Sequence, residues 1–244
     1  MAQALLEEGL VRLGLVESMD RILPLLYRYI EEIELFNPSY GLVKVRDREE
    51  LIVKHILDSL APLYFICDFL ENPDKQKGRN VADAGSGAGL QGKPVALKIA
   101  DVGSGAGLPG IPLAICMPDA EFTLIERMGR RAGFLRDVIA MLNLSNVSVK
   151  ESEMEELAAL TEKRKESFAF NVAVFRAFKP LDSTILKKLF SLLAPDGILA
   201  AYKGRRQSIE DEMSRLGTVS WECLALEVPF LEEERNLVLL RKTF

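Results

Sequence analysis

Residues 99–116 read IADVGSGAGLPGIPLAIC, and residues 81–98 just before them read VADAGSGAGLQGKPVALK. Eleven of the 18 aligned positions are identical, with no spacer between the copies. Each copy holds an apolar run, an aspartate and a glycine-rich turn. Glycines in such a turn let the backbone fold back sharply and come close to a ligand with no Cβ in the way. The stretch is therefore expected to be a strand, loop and helix that together bind a nucleotide or a nucleotide-like cofactor.

Downstream the same alternation continues. Short apolar runs lie near 99–102, 122–125, 147–149, 172–175, 198–202, 223–226 and 237–240, and helical stretches separate the first five. This alternation predicts a parallel α/β sheet. The last two runs are joined by VPFLEEERN, too short for a crossover helix, so they are expected to form an antiparallel hairpin. The expected fold is thus a Rossmann-like, seven-stranded, mostly parallel sheet ending in an antiparallel hairpin. A nicotinamide-binding domain would be expected to continue parallel.

Upstream, residues 3–35 carry apolar residues at helical spacing, with breaks expected at Gly14 and Pro24. Asn37-Pro38 is expected to be a loop. Asp47 is a candidate N-cap for a helix over 48–60, with Glu50 three residues on as in a capping box. Polar, turn-rich ENPDKQKGRN at 71–80 is the best candidate linker. The expected organisation is a helical extension over 1–70, a linker with the duplicated glycine loop over 71–98, and a Rossmann-like domain over 99–244.

The two copies are not equivalent in spacing. Asp101 precedes Glu126, at the end of the next strand, by 25 residues, whereas Asp83 precedes it by 43. Only nine residues separate Gly89 from Ile99, short of the roughly 10–12 that a crossover between parallel strands needs. Lys93 and Lys98 also stand where copy two has the apolar Ile111 and Cys116. Copy two is therefore expected to bind the cofactor. Copy one is expected to be an extra loop, irregular extension or edge strand.

An acid at the end of the second strand is placed to hold a ribose diol, which assigns that role to Glu126. GAGLPG at 105–110 also satisfies the dinucleotide pattern GxGxxG, so a nicotinamide cofactor and an oxidoreductase stay open on that motif alone. Asp101, placed to reach a charged amino-acid moiety, and the terminal hairpin favour S-adenosylmethionine (SAM).

Several segments occur together and in order: DREELIVKHILDSL, IADVGSGAGLPGIPLAI, FTLIERMGRRAGFLRDV, FRAFKPL and LAPDGILAAYKG. In this the chain strongly resembles the RsmG (GidB) family from about residue 20 onward. The resemblance implies a SAM-dependent methyltransferase acting on guanine-N7 of 16S ribosomal RNA, with naked RNA or the assembling small subunit as partner. It also implies a cytoplasmic enzyme, and a monomer is expected. The family's cofactor contacts would fall on Gly103 and Leu108, on Met154 and Glu155, and on Arg176; Asp101, Gly105 and Glu126 complete the expected cofactor set. There are departures. Glu126 stands where the family usually has Asp, Gly41 and Val43 replace Asn and Thr of a YNLT-type segment, and Phe175 replaces a common Ser. The duplication is the largest departure, and it keeps open a non-catalytic SAM- or RNA-binding homologue inactivated by the repeat.

Guanine-N7 has an in-plane lone pair and no proton, so its methylation needs alignment and electrostatics rather than a general base. Arg176, at a strand end, is the foremost substrate-side candidate. His55, the only histidine, and Asp58 are the others, from a helix whose positions 55, 58 and 59 share a face; Lys54, His55 and Asp58 either border the substrate mouth or form a structural network. Arg127, Arg130, Arg131 and Arg136, and then Lys203, Arg205 and Arg206, follow strand C-termini, where a basic rim could meet RNA phosphates despite a net charge of −5. Cys67, Cys116 and Cys223 fit neither a zinc site nor a disulfide framework and are expected to be buried thiols; no metal is expected. No apolar run reaches the ~18 residues of a membrane span, and the N-terminus lacks the basic start of a signal peptide.

Overall fold

The computed structural model describes residues 2–71, 97–163, 168–176, 180–217 and 219–242. Copy one of the repeat, apart from Leu97 and Lys98, lies outside them. So do residues 72–80 of the expected linker, and the expectations for those segments with them.

The chain opens with helices α1 (Ala2–Arg12) and α2 (Met19–Tyr40). Gly14, at φ +75°, separates them as the sequence suggests. Two expectations are corrected here. Pro24 lies inside α2, and so does Asn37-Pro38. A proline removes one backbone donor from a helix, and the fully buried stripe Ile22, Leu26, Tyr29, Ile30 and Ile33 offsets that loss through packing. The helix ends at Gly41, left-handed at φ +58°, whose N–H reaches the Asn37 carbonyl.

Asp47 caps the next helix as expected, its carboxylate accepting from the Glu50 N–H at 2.8 Å. The helix is not uniform. It is α-helical over α3 (Arg48–Leu51), widens to π geometry over Ile52–Leu57, and returns to α over α4 (Asp58–Leu60). Helix α5 follows (Leu63–Glu71).

The sheet contains β1 (Lys98–Val102), β2 (Glu121–Glu126), β3 (Val147–Glu151), β4 (Phe170–Arg176), β5 (Leu193–Lys203), β6 (Ser220–Leu226) and β7 (Arg235–Arg241). Their spatial order is β3-β2-β1-β4-β5-β7-β6. The first five run parallel, and β7 inserts antiparallel between β5 and β6. Helices α6 (Gly110–Cys116), α7 (Gly129–Leu142), α8 (Met154–Glu162), α9 (Ser183–Ser191) and α10 (Arg206–Met213) connect the strands.

Side-chain alternation divides the interior into two layers. On β1, Ile99 faces one layer while Ala100 and Val102 face the other; on β5, Ile198 and Ala200 oppose Leu199 and Ala201. The second layer is roofed by α8, α9 and α10. The first is roofed by α6 and α7 together with Leu6, Leu10, Leu26, Ile30 and Ile56 of the N-terminal helices. The extension therefore completes one face of the sheet.

Candidate active site

Copy two folds as the strand, loop and helix that its spacing implies. β1 ends at Val102, the chain turns through Gly103, Gly105 and Gly107 at positive φ, and α6 begins at Gly110. The loop is held from the side by β2, whose Ile125 carbonyl accepts the N–H groups of Gly103 (2.9 Å) and Ser104 (3.0 Å). Gly107 cannot be replaced cheaply: at φ +92° a Cβ would lie 2.6 Å from Ile111 and 2.9 Å from Leu135.

A cleft of about 520 Å³ opens at the C-terminal ends of β1, β2, β3 and β4. Its lining includes Gly103, Glu126, Met154, Glu155 and Arg176 from the expected set. The structure thus brings these five together. It adds residues the sequence reading did not single out, notably Met128, Ser152 and Glu153, and it draws in Arg127 and Arg131 from the first basic cluster. The signal for Met128 and Glu153 was their position just after a strand, which alone does not say which side chains turn inward.

Asp101, Gly105 and Leu108 are placed around the loop rather than along the cleft lining. Asp101 is 1% exposed and sits beneath the loop, its Oδ2 accepting from the Gly110 N–H at 3.0 Å. Its Oδ1 is buried without a partner. Burial outweighs the Gly110 bond and pushes its carboxyl up to about 7. Glu126 is equally deep, but both its oxygens are satisfied: Oε2 accepts from Gly105 N–H and Oε1 from Met128 N–H, each at 2.8 Å. Each oxygen keeps a second lone pair, so the carboxylate is pinned yet still able to accept from a diol.

Arg176, His55 and Asp58 come together. Arg176 Nη1 donates to Asp58 Oδ2 at 2.9 Å, and Nη2 meets His55 Nδ1 at 2.9 Å. A guanidinium can only donate, so Nδ1 must be the acceptor and the ring is neutral, with its proton on Nε2. Burial and the Arg176 charge agree, holding His55 down to about 4. Asp58 is buried, and its other oxygen accepts from Arg235 Nε at 3.0 Å. Nothing in the sequence pointed to Arg235, which opens β7. The π segment contributes directly, because the Asp58 N–H reaches the Val53 carbonyl five residues back. Arg176 is placed to offer its uncommitted N–H groups to the cleft.

The basic rim is less free than its count implies. Arg127 pairs with Glu153 and Arg136 with Glu151. Lys203 is clamped by Glu212 at 2.9 Å, and Arg206 pairs with Glu210. Arg130 lies over the Tyr40 ring, and Arg131 donates to the Gly41 carbonyl. Burial lifts the Cys116 thiol to about 12, so it carries no thiolate character at neutral pH. No group of residues that could hold a metal ion is found among the described residues. No described helix is long and apolar enough to cross a membrane.

A seven-stranded sheet with an antiparallel β7, and a cleft at the C-terminal strand ends beside a glycine loop, define a class I SAM-dependent methyltransferase fold. Among solved structures, the methyltransferase domain of METTL16 shares this fold at a TM-score of 0.51 and 11% identity, over 86% of this chain and 77% of that one. The chain belongs to the GidB family, described as rRNA small subunit methyltransferase G, which it matches over residues 22–100 and again over 95–238. Each repeat copy thus falls in a different matching segment. Ribosomal RNA small subunit methyltransferase G of Treponema denticola is 36% identical over 99% of this chain and 95% of its own length. The protein of that name from Treponema pallidum is 35% identical over 96% of this chain and 92% of its own. Neither the antiparallel β7 nor the family favours the nicotinamide alternative.

Proposed function

We propose that the chain transfers a methyl group from SAM to guanine-N7 of 16S ribosomal RNA, as a cytoplasmic monomer acting on that RNA or on the assembling small subunit. The observation that carries this reading is a pinned acid, Glu126, beside the glycine loop, in a cleft whose described lining holds no His, Cys, Lys or Tyr. The His55 Nδ1 lone pair is taken by Arg176, Glu153 pairs with Arg127, and Glu155 lies 3.6 Å from Lys188. A target atom with a lone pair and no proton suits such a site, because nothing has to be deprotonated.

When bound, SAM supplies an electrophilic methyl on a sulfonium. The residues fit that cofactor. Glu126 would accept the ribose hydroxyls, the Gly103 backbone would allow close approach, and buried Met154 would give an apolar wall. Arg176, fixed by Asp58 and His55, would orient the incoming base through its remaining N–H groups, leaving alignment as the main contribution to rate. The test is incubation of labelled SAM with undermethylated 16S RNA or small subunits. Label at guanine-N7 is expected; SAM binding without transfer would favour the non-catalytic homologue, and no SAM binding at millimolar ligand would end the reading.

A further inference from the structure

The turn that leads into α6 leaves one buried carbonyl without a local donor. Ala106 precedes the helix, which starts at Gly110, and the amide four residues on, that of Gly110, is one of the helix's N-terminal donors, free to bond outside it. That N–H goes to the Asp101 carboxylate at 3.0 Å. The tighter alternative three residues on is Pro109, which has no N–H. Ala106 is buried, so its carbonyl would be left without water or partner, at a cost of about 1–3 kcal/mol. The donor comes from the N-terminal extension: the Tyr29 hydroxyl of α2, itself fully buried, bonds to the Ala106 carbonyl at 2.8 Å. Burial raises Tyr29 well above its ordinary value, so it stays a neutral donor at any working pH. The fit is close, since a Cβ on Gly107 would sit 3.3 Å from that hydroxyl.

We propose that Tyr29 is a positioning residue for the cofactor loop, and that through it the N-terminal extension sets the loop's affinity for SAM. The inference rests on the reading that this loop binds SAM. Tyr29 is 0% exposed and cannot itself touch a ligand in the cleft. It acts by supplying a donor to a loop carbonyl that neither Pro109 nor Gly110 serves. With that donor gone, Gly103 to Gly107 would sample more conformations, and binding would have to order them again.

The test compares two hydroxyl deletions. Tyr29→Phe removes the loop bond. Tyr202→Phe removes a bond of similar depth and length, from the Tyr202 hydroxyl to the Ser59 carbonyl at 2.9 Å, which holds α4 rather than the loop. Both variants are expected to lose a few degrees of Tm. Calorimetry should show the Kd for SAM rising about 5- to 10-fold in Tyr29→Phe, the share of one buried hydrogen bond, and unchanged in Tyr202→Phe. Amide exchange at Gly107 and Leu108 should quicken only in Tyr29→Phe. Equal SAM affinity in wild type and Tyr29→Phe, or equal losses in the two variants, overturns the proposal and leaves the functional reading standing. A wild-type protein that binds no SAM overturns both.

Discussion

The two copies of the repeat differ at seven of 18 positions, and copy two shows what those positions do. Ile99, Val102, Pro109, Ile111, Leu113 and Ile115 are all buried, and Cys116 is half-buried. Copy one carries Val81, Ala84, Gln91, Lys93, Val95, Leu97 and Lys98 at the equivalent places. The glycines, the aspartate and the leucine, which give the motif its look, are the same in both. What differs is the surface that a β-strand and α6 bury against the sheet. The glycine loop of copy two is thus positioned less by its glycines than by the core that grips its two ends.

The sharpest way to break this comparison is a matched pair of substitutions. Gly103→Asp puts a Cβ at φ +75° and a negative charge into the cleft, and should weaken SAM binding by at least ~100-fold. Gly85→Asp should leave the Kd within about 2-fold, or ~0.5 kcal/mol, because the spacing to Glu126 assigns the site to copy two. Calorimetry on both decides it; the reverse result would move the site to copy one. Next in size is Ile111→Lys, which gives copy two the residue of copy one. A lysine at a fully buried position beside Gly107 should cost about 4 kcal/mol or more, visible as a large loss of Tm or of soluble protein. Lys93→Ile should barely move Tm.

Deleting residues 81–96, which leaves Leu97 and Lys98 to begin β1, should keep the fold and leave SAM affinity within about 3-fold, on the order of 0.6 kcal/mol. A larger loss would show that copy one supports the site.

A last comparison concerns two ionisable groups beneath and beside the cleft, Asp101 from copy two and His55 from the π segment. Asp101, raised to about 7, holds a proton in the folded state that the unfolded chain releases near pH 4. Its contribution to stability is full below that pH and lost as pH climbs through about 7. His55, lowered to about 4, does the opposite, contributing above about pH 6.5 and losing that contribution as pH falls toward 4. Between those limits the two slopes oppose. Relative to wild type, Asp101→Asn should gain stability as pH rises over about 4–7, and His55→Gln should lose it over about 4–6.5, each by no more than about 1.4 kcal/mol per pH unit. Tm measured at half-unit pH steps checks both signs.

The two acids show where sequence reasoning stopped. Asp101 and Glu126 both lie at the C-terminal ends of strands beside the glycine loop, and spacing selected both. Only the structure shows that Glu126 lines the cleft while Asp101 turns beneath the loop toward α6. The choice depends on which helix N-terminus reaches back to each carboxylate, a long-range matter. Pro24 and Asn37-Pro38 show the converse. Local rules read them as breaks, yet a buried apolar stripe carried the helix through.

By itself the sequence determined the alternation of strands and helices, the closing hairpin, the strand, glycine loop and helix of copy two, and the family. These follow from apolar period, glycine placement and residue spacing, which are local along the chain. Tertiary structure alone decided that β7 inserts between β5 and β6, that much of the basic rim is paired off, and that a π turn brings Asp58 and His55 onto Arg176. It also decided that Tyr29, 77 positions before Ala106, completes the loop. Each of these is a contact between distant segments, fixed by which buried polar groups still lack a partner once the core has closed.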